Sequence, residues 1–129
     1  MIPVTANDKL EQALCPIRSV LNQVTGKWQI LIVFALEDGA LRFGELKRLI
    51  GDITQRVLTE NLRGLEKDGY LTRTVFEGPP LAVSYELTKQ GDDFVGHLKP
   101  VIYWANDILP AVKESRVMYE NKQQQIAKK

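Results

Sequence analysis

The residues best suited to do chemistry lie between positions 54 and 67. At roughly 100° per residue, Arg56, Thr59, Glu60, Arg63 and Lys67 fall on one side of a helical wheel and Leu58, Leu62 and Leu65 on the other. With Gln55 in the first turn, the polar side offers guanidinium, amide and hydroxyl groups. These match the donors and acceptors of base edges, and the cations match phosphate oxygens. A solvated surface helix has the same composition, so the surroundings must decide. Thr54 is placed as the N-cap, with Asp52 the alternative, and Gly69 is placed to stop the helix, which predicts a helix over about 54 to 67.

Other chemistries find little material. A single cysteine, Cys15, excludes an internal disulfide framework, and Cys15 with the single His97 cannot furnish a protein-only zinc site. No paired carboxylates in a glycine-bounded pocket, no Ser/His/Asp order and no phosphate loop are present, so neither an enzyme nor a cofactor is expected. His97 has no carboxylate or cysteine nearby in sequence, which leaves packing in the core or at an interface as its expected role. With 17 basic and 16 acidic residues the net charge is +1, so any basic stripe must be built locally. No run of about 18 apolar residues occurs, and the opening MIPVTANDKLEQ lacks the basic-then-apolar order of a leader. A cytoplasmic protein without a membrane span is expected.

The elements that would position the polar helix can be read in order. Residues 1–14 form an N-terminal arm, with Asn7 or Asp8 able to cap a short helix. Cys15-Pro16 reads as an N-cap followed by proline at the first helical position, with Ile17, Val20, Leu21 and Val24 as a buried stripe before Gly26. Trp28 to Leu36 is too apolar for a surface helix and belongs to the core. Phe43, Leu46, Leu49 and Ile50 are spaced for a short amphipathic helix ending before Gly51. Two short helices joined by a glycine-containing turn, the second with a polar outer face, match the helix-turn-helix arrangement. Tyr70–Phe76 and Val83–Leu87 alternate as strands around the turn Glu77-Gly78-Pro79-Pro80, forming a hairpin in the place of a wing. Arg73 at its base is the expected phosphate ligand, or else a solvated strand residue.

From Thr88, a credible N-cap, a long helical region carries more apolar surface than one face needs. Leu98, Val101, Trp104, Ala105 and Ile108, together with Ile17 and Leu21 of the first helix, are the expected homodimer interface. Pro100 should kink or divide this helix and Pro110 should end a second segment. The fold class expected is mainly α with a small β-hairpin: a winged helix-turn-helix with N- and C-terminal dimerisation helices over 15–109, followed by a polar tail over 110–129.

Cys15-Pro16, Gly26-Lys27-Trp28, Arg42-Phe43 with Glu45-Leu46, Leu58-Thr59 with Leu62-Arg63 and Leu65-Glu66, Asp68-Gly69, Pro79-Pro80, Tyr85, and Leu87-Thr88 with Gly91 together resemble the HxlR family of winged helix-turn-helix transcriptional regulators. The match covers about 15 to 105. The resemblance implies a prokaryotic, homodimeric regulator, related in architecture to the MarR group, that binds a pseudo-palindromic operator in double-stranded DNA. The candidate DNA-facing residues are Arg42, Thr54, Gln55, Arg56, Thr59, Arg63 and Arg73. One departure stands out: the family usually places a basic residue directly after the wing prolines, whereas this chain has Leu81-Ala82. With Glu77 also in the wing, the polar helix is expected to carry the larger share of binding.

The resemblance extends to Cys15, since several members sense oxidants, quinones or aldehydes through a cysteine at this Cys-Pro position. At a helix N-terminus the exposed backbone N–H groups would favour the thiolate. Oxidation could then yield a sulfenic acid, a mixed disulfide or an intersubunit disulfide. The alternative is a cysteine packed as a small hydrophobe. A small-molecule effector in an apolar cleft is the other route of control. The competing reading of the whole chain is a winged-helix module that binds another protein and no specific DNA.

Overall fold

In the computed structural model, which describes residues 6–128, the chain opens on helix α1 (Ala6–Pro16). The helix continues through a π-helical segment (Ile17–Leu21) into a last turn, α2 (Asn22–Val24). The stretch from Ala6 to Leu14 is rich in Ala, Leu, Glu, Lys and Gln, good helix formers, so the helix starts well upstream of Cys15. The expected helix start at Cys15-Pro16 is therefore corrected: both residues lie in the last turn of α1. Residues 6–14 of the expected arm are helical, and residues 1–5 lie outside the described residues. Pro16 has no N–H to return to the preceding turn and its ring crowds the carbonyl there. The ladder, already broken at that point, resumes with wider spacing: the Asn22 N–H bonds the Ile17 carbonyl five residues back. Of the expected buried stripe only Val24 is buried, and Ile17, Val20 and Leu21 are exposed.

Two compact units follow one another along the chain, Met1–Val95 and Gly96–Lys129. In the first, Gly26 leads into α3 (Lys27–Ala35), which buries Ile32 and Val33 while leaving Leu31 and Phe34 partly in solvent. β1 (Leu41–Arg42) runs directly into α4 (Phe43–Ile50), and α5 (Gln55–Lys67) follows after a short turn. Gly51 ends α4 with φ 86°, a conformation open to glycine and strained for other residues. β2 (Leu71–Phe76) and β3 (Ala82–Leu87) form the predicted antiparallel hairpin, in register from Leu71–Leu87 to Phe76–Ala82. β1 pairs with β3 through Leu41–Tyr85 and Arg42–Ser84, giving the strand order β1-β3-β2 among the described residues. A two-residue strand has no alternation to show, and it was not among the expected elements.

The core of this unit is built from Val24, Ile32, Val33, Leu36, Leu46, Leu58, Leu62 and Leu65, all essentially without solvent contact. Each such side chain contributes about 1.5–3 kcal/mol by leaving water. Three of them are the apolar stripe of α5, so the face of α5 that enters the core is the one the wheel predicts.

Helix α6 (Lys89–Ala127) is continuous for 39 residues and contains both Pro100 and Pro110. The expected division at Pro100 and termination at Pro110 are corrected. Each proline removes one intrahelical hydrogen bond, and the intact turns on either side carry the helix through. Residues 110–127 of the polar tail extend the helix.

Candidate nucleic-acid interface

The polar helix is held at both ends by local bonds. At its start the Thr54 hydroxyl accepts from the Val57 N–H at 3.2 Å, the N-cap bond that satisfies one of the orphan donors of the first turn. At its end Gly69, with φ 87°, donates to the Glu66 carbonyl at 3.1 Å, and Tyr70 donates to the Leu65 carbonyl at 2.9 Å. This pair of bonds is a Schellman motif, with Leu65 and Tyr70 both buried beneath it.

The start of α6 then binds three successive carbonyls at this corner. Gln90 Nε2 donates to Asp68 O at 2.9 Å, Thr88 Oγ1 to Gly69 O at 2.6 Å, and the Thr88 N–H to Tyr70 O at 3.0 Å. Gly91 is required here, because a Cβ at that position would fall on the Tyr70 carbonyl oxygen. Phe94 stacks obliquely on Tyr70, ring centroids 5.5 Å apart.

Fixed in this way, α5 presents Gln55, Arg56, Glu60, Arg63 and Lys67 to solvent. Thr59 is half-buried and its hydroxyl donates to the Gln55 carbonyl at 2.8 Å, so it is engaged by its own helix. Arg56 Nε donates to Glu60 Oε1 at 3.1 Å, one turn along. Toward the wing, Thr59, Arg63 and Glu66 of α5 and Arg73 and Tyr85 of the hairpin line a cleft of about 250 Å³. Two arginines thus line one concavity between the polar helix and the wing. The opposite flank is lined by Gln23, Gln29, Glu60, Asn61 and Asp68 with Gly64 and Leu65, and holds no cation. The flank suited to phosphate is the one beside the hairpin.

Arg42 is exposed at the start of α4 and its backbone N–H donates to Glu45 Oε1 at 2.9 Å. The structure brings Thr59, Arg63 and Arg73 to one cleft and leaves Arg56 outside it, bonded to Glu60; Thr54 and Arg42 serve the starts of α5 and α4. Glu66 and Tyr85 complete the cleft and were missed as site residues, while Glu60, named on the polar face, was not read as the partner of Arg56. The i, i+4 spacing of Arg56 and Glu60 was the available signal. Beyond Arg73 no Lys or Arg occurs until Lys89, and the hairpin instead exposes Val75, Phe76 and Leu81.

A helix of this polarity, capped by Thr54 and backed by a hairpin, is the second helix of a winged helix-turn-helix. The model of the HxlR-like helix-turn-helix family matches residues 23–113. The chain belongs to this family. An uncharacterised HTH-type transcriptional regulator, YtfH of Escherichia coli K12, is 38% identical over 98 residues, covering 76% of this chain and 78% of that one. YdeP of Bacillus subtilis, described in the same words, is 41% identical over 93 residues, covering 72% and 70%. Among solved structures, the redox regulator HypR in its oxidised form superposes with a TM-score of 0.67 at 35% identity, covering 72% of this chain and 96% of that one. In its reduced form the score is 0.71 at 32% identity, covering 77% and 98%. Fold class and family thus agree with the sequence reading.

Cys15 is exposed, its Sγ 3.7 Å from Ser19 Oγ. Its place in the last turn of α1 removes the support expected from a helix N-terminus, and its exposure removes the alternative of packing within the chain. Ile17 and Leu21 of the π-helical segment are exposed, as are Val101, Trp104, Ala105 and Ile108 of α6. Leu98, also in the expected interface set, is only 7% exposed. His97 is exposed rather than buried. Among the described residues no helix is long and apolar enough to cross a membrane, and no group of His, Cys, Asp and Glu could hold a metal ion.

Proposed function

We propose that this chain is a homodimeric, sequence-specific transcriptional regulator that binds a pseudo-palindromic operator in double-stranded DNA and has no enzymatic role. The observation that carries the reading is the capped α5, with its exposed polar face and the Arg63–Arg73 cleft beside the wing. Gln55 and Arg56 lie at the end of α5 that, in helix-turn-helix proteins, meets base edges. Arg63 and Arg73, which line one cleft, are assigned to a backbone phosphate, and Arg42 and Thr54 to the DNA-facing set with them. Membership of the family and the names of its relatives support the same conclusion.

Dimerisation is supported by the apolar surface left uncovered. Ile17 and Leu21 before Val24, and Val101, Trp104 and Ile108 on α6, are exposed apolar side chains, of the kind that a subunit interface covers. The protein is placed in the cytoplasm, at the nucleoid when bound. Control by oxidation of Cys15 is supported by its exposure and by the likeness to HypR; a small ligand is the other input.

The test is an electrophoretic shift with the DNA upstream of the protein's own gene and with duplexes selected from a random pool, using reduced and diamide-treated protein. A specific shift lost on oxidation and retained in Cys15→Ser gives a regulator with a thiol switch. A specific shift indifferent to oxidation moves control to a ligand. No specific duplex from either source overturns the DNA reading and leaves the protein-binding module.

A further inference from the structure

Glu60 is out of place on a helix that faces DNA, since an exposed carboxylate beside phosphates costs affinity. Its geometry gives it a purpose. The Arg56 side chain is 88% exposed and its Nε is bonded to Glu60 Oε1 at 3.1 Å. With Nε bonded to Glu60, the two terminal amino groups of the guanidinium are the donors left for a partner outside the helix. That pair matches O6 and N7 of guanine in the major groove, the bidentate contact by which arginine distinguishes this base. Arg63 has a different setting: it lines the cleft with Arg73, on the flank suited to a phosphate. No cation is among the residues that line the hollow on the Glu60 side.

We propose that Glu60 is a positioning residue for base reading: it locks Arg56 in the orientation that reads a guanine in each half-site, while Arg63 and Arg73 hold the backbone. The carboxylate is neutralised by the same bond, which limits its repulsion of the DNA. This assignment rests on the DNA-binding function proposed above.

The experiment is selection of duplexes from a random pool by the full-length wild type, Glu60→Ala, Glu60→Gln and Arg56→Lys, followed by affinities for the selected site and for its single-base variants. Wild type should fix a guanine at one position per half-site. Arg56→Lys and Glu60→Ala should lower the preference for that guanine about tenfold, within the range a bidentate contact supplies. Glu60→Ala should bind unrelated duplexes no more weakly than wild type, because a negative charge has gone. Glu60→Gln, which keeps an oxygen to accept from Nε, should retain the preference. A selected site whose guanine is equally preferred by Glu60→Ala overturns the positioning role and leaves the regulator standing. No enriched sequence with wild type overturns both.

Discussion

Replacing Gly91 by alanine sets two effects against each other, and the structure decides between them. Helix propensity alone favours the change: alanine is better than glycine inside a helix by about 1 kcal/mol. The packing opposes it. A Cβ at position 91 lands on the Tyr70 carbonyl oxygen, with the Tyr70 carbonyl carbon at 3.2 Å and Leu87 Cδ2 at 3.0 Å. Two of these atoms are backbone and cannot swing aside. To relieve the overlap, the start of α6 must withdraw from the corner where it bonds Asp68, Gly69 and Tyr70, at 2.9, 2.6 and 3.0 Å. Overpacking of this kind costs about 1–3 kcal/mol, and each bond stretched out of range adds about 1 kcal/mol. The net expectation is a loss of roughly 2 kcal/mol, a fall in Tm on the order of 5–10 °C. The assay is thermal unfolding followed by circular dichroism at one protomer concentration. Gly96→Ala is the control: nothing lies within 4 Å of its Cβ, so it should gain up to about 1 kcal/mol from propensity. A Gly91→Ala protein that melts at or above wild type would refute the close approach of α6 to Tyr70.

The other expectations concern α5 and its cleft. Leu62→Ala, at a fully buried position, should cost about 2–5 kcal/mol and lose fold and DNA binding together, seen as a lowered urea midpoint and a lost shift. Thr54→Ala removes the bond to the Val57 N–H and should cost about 1 kcal/mol; Thr54→Asp should restore most of it, and equal stabilities would show that the cap is idle. Arg73→Ala should reduce the log-log salt slope of operator binding by about 0.9 per contact, or about 1.8 for two copies. Wild type and variant should then differ about twelvefold in how much affinity each loses between 50 and 200 mM salt. An unchanged slope would remove Arg73 from the phosphate contacts. Arg56→Ala should weaken operator binding with the fold intact, checked by an unaltered melt beside a reduced shift.

Much of this architecture is legible in the chain because the relevant signals are local. The 3.6-residue period of Leu58, Leu62 and Leu65, the hydroxyl of Thr54 and the left-handed Gly69 each specify their piece of α5 without help from distant residues. The hairpin declares itself by alternation on either side of Gly78-Pro79-Pro80. What escaped reading depends on competition or on long-range pairing. Proline at position 16 looked like a helix start because its lost N–H is harmless there, but the helix formers before it carry the helix across the defect. Pro100 and Pro110 misled for the same reason. The pairing of Leu41 with Tyr85 joins residues far apart in sequence, and nothing at either position announces it. Within the site, the candidate cations could be named from their charge, whereas the partnership of Arg63 with Arg73, and the cleft they share with Tyr85, needed the fold.

The corner at Asp68, Gly69 and Tyr70 has a mechanical meaning. Three consecutive carbonyls from the end of α5 are grasped by Thr88 and Gln90, and the absence of a side chain at Gly91 lets the two backbones touch. The last turn of α5 and the first turn of α6 are therefore joined through three hydrogen bonds, and a rotation of that first turn would be passed to α5. A small tilt there is magnified along the length of α5 into a displacement of Arg56.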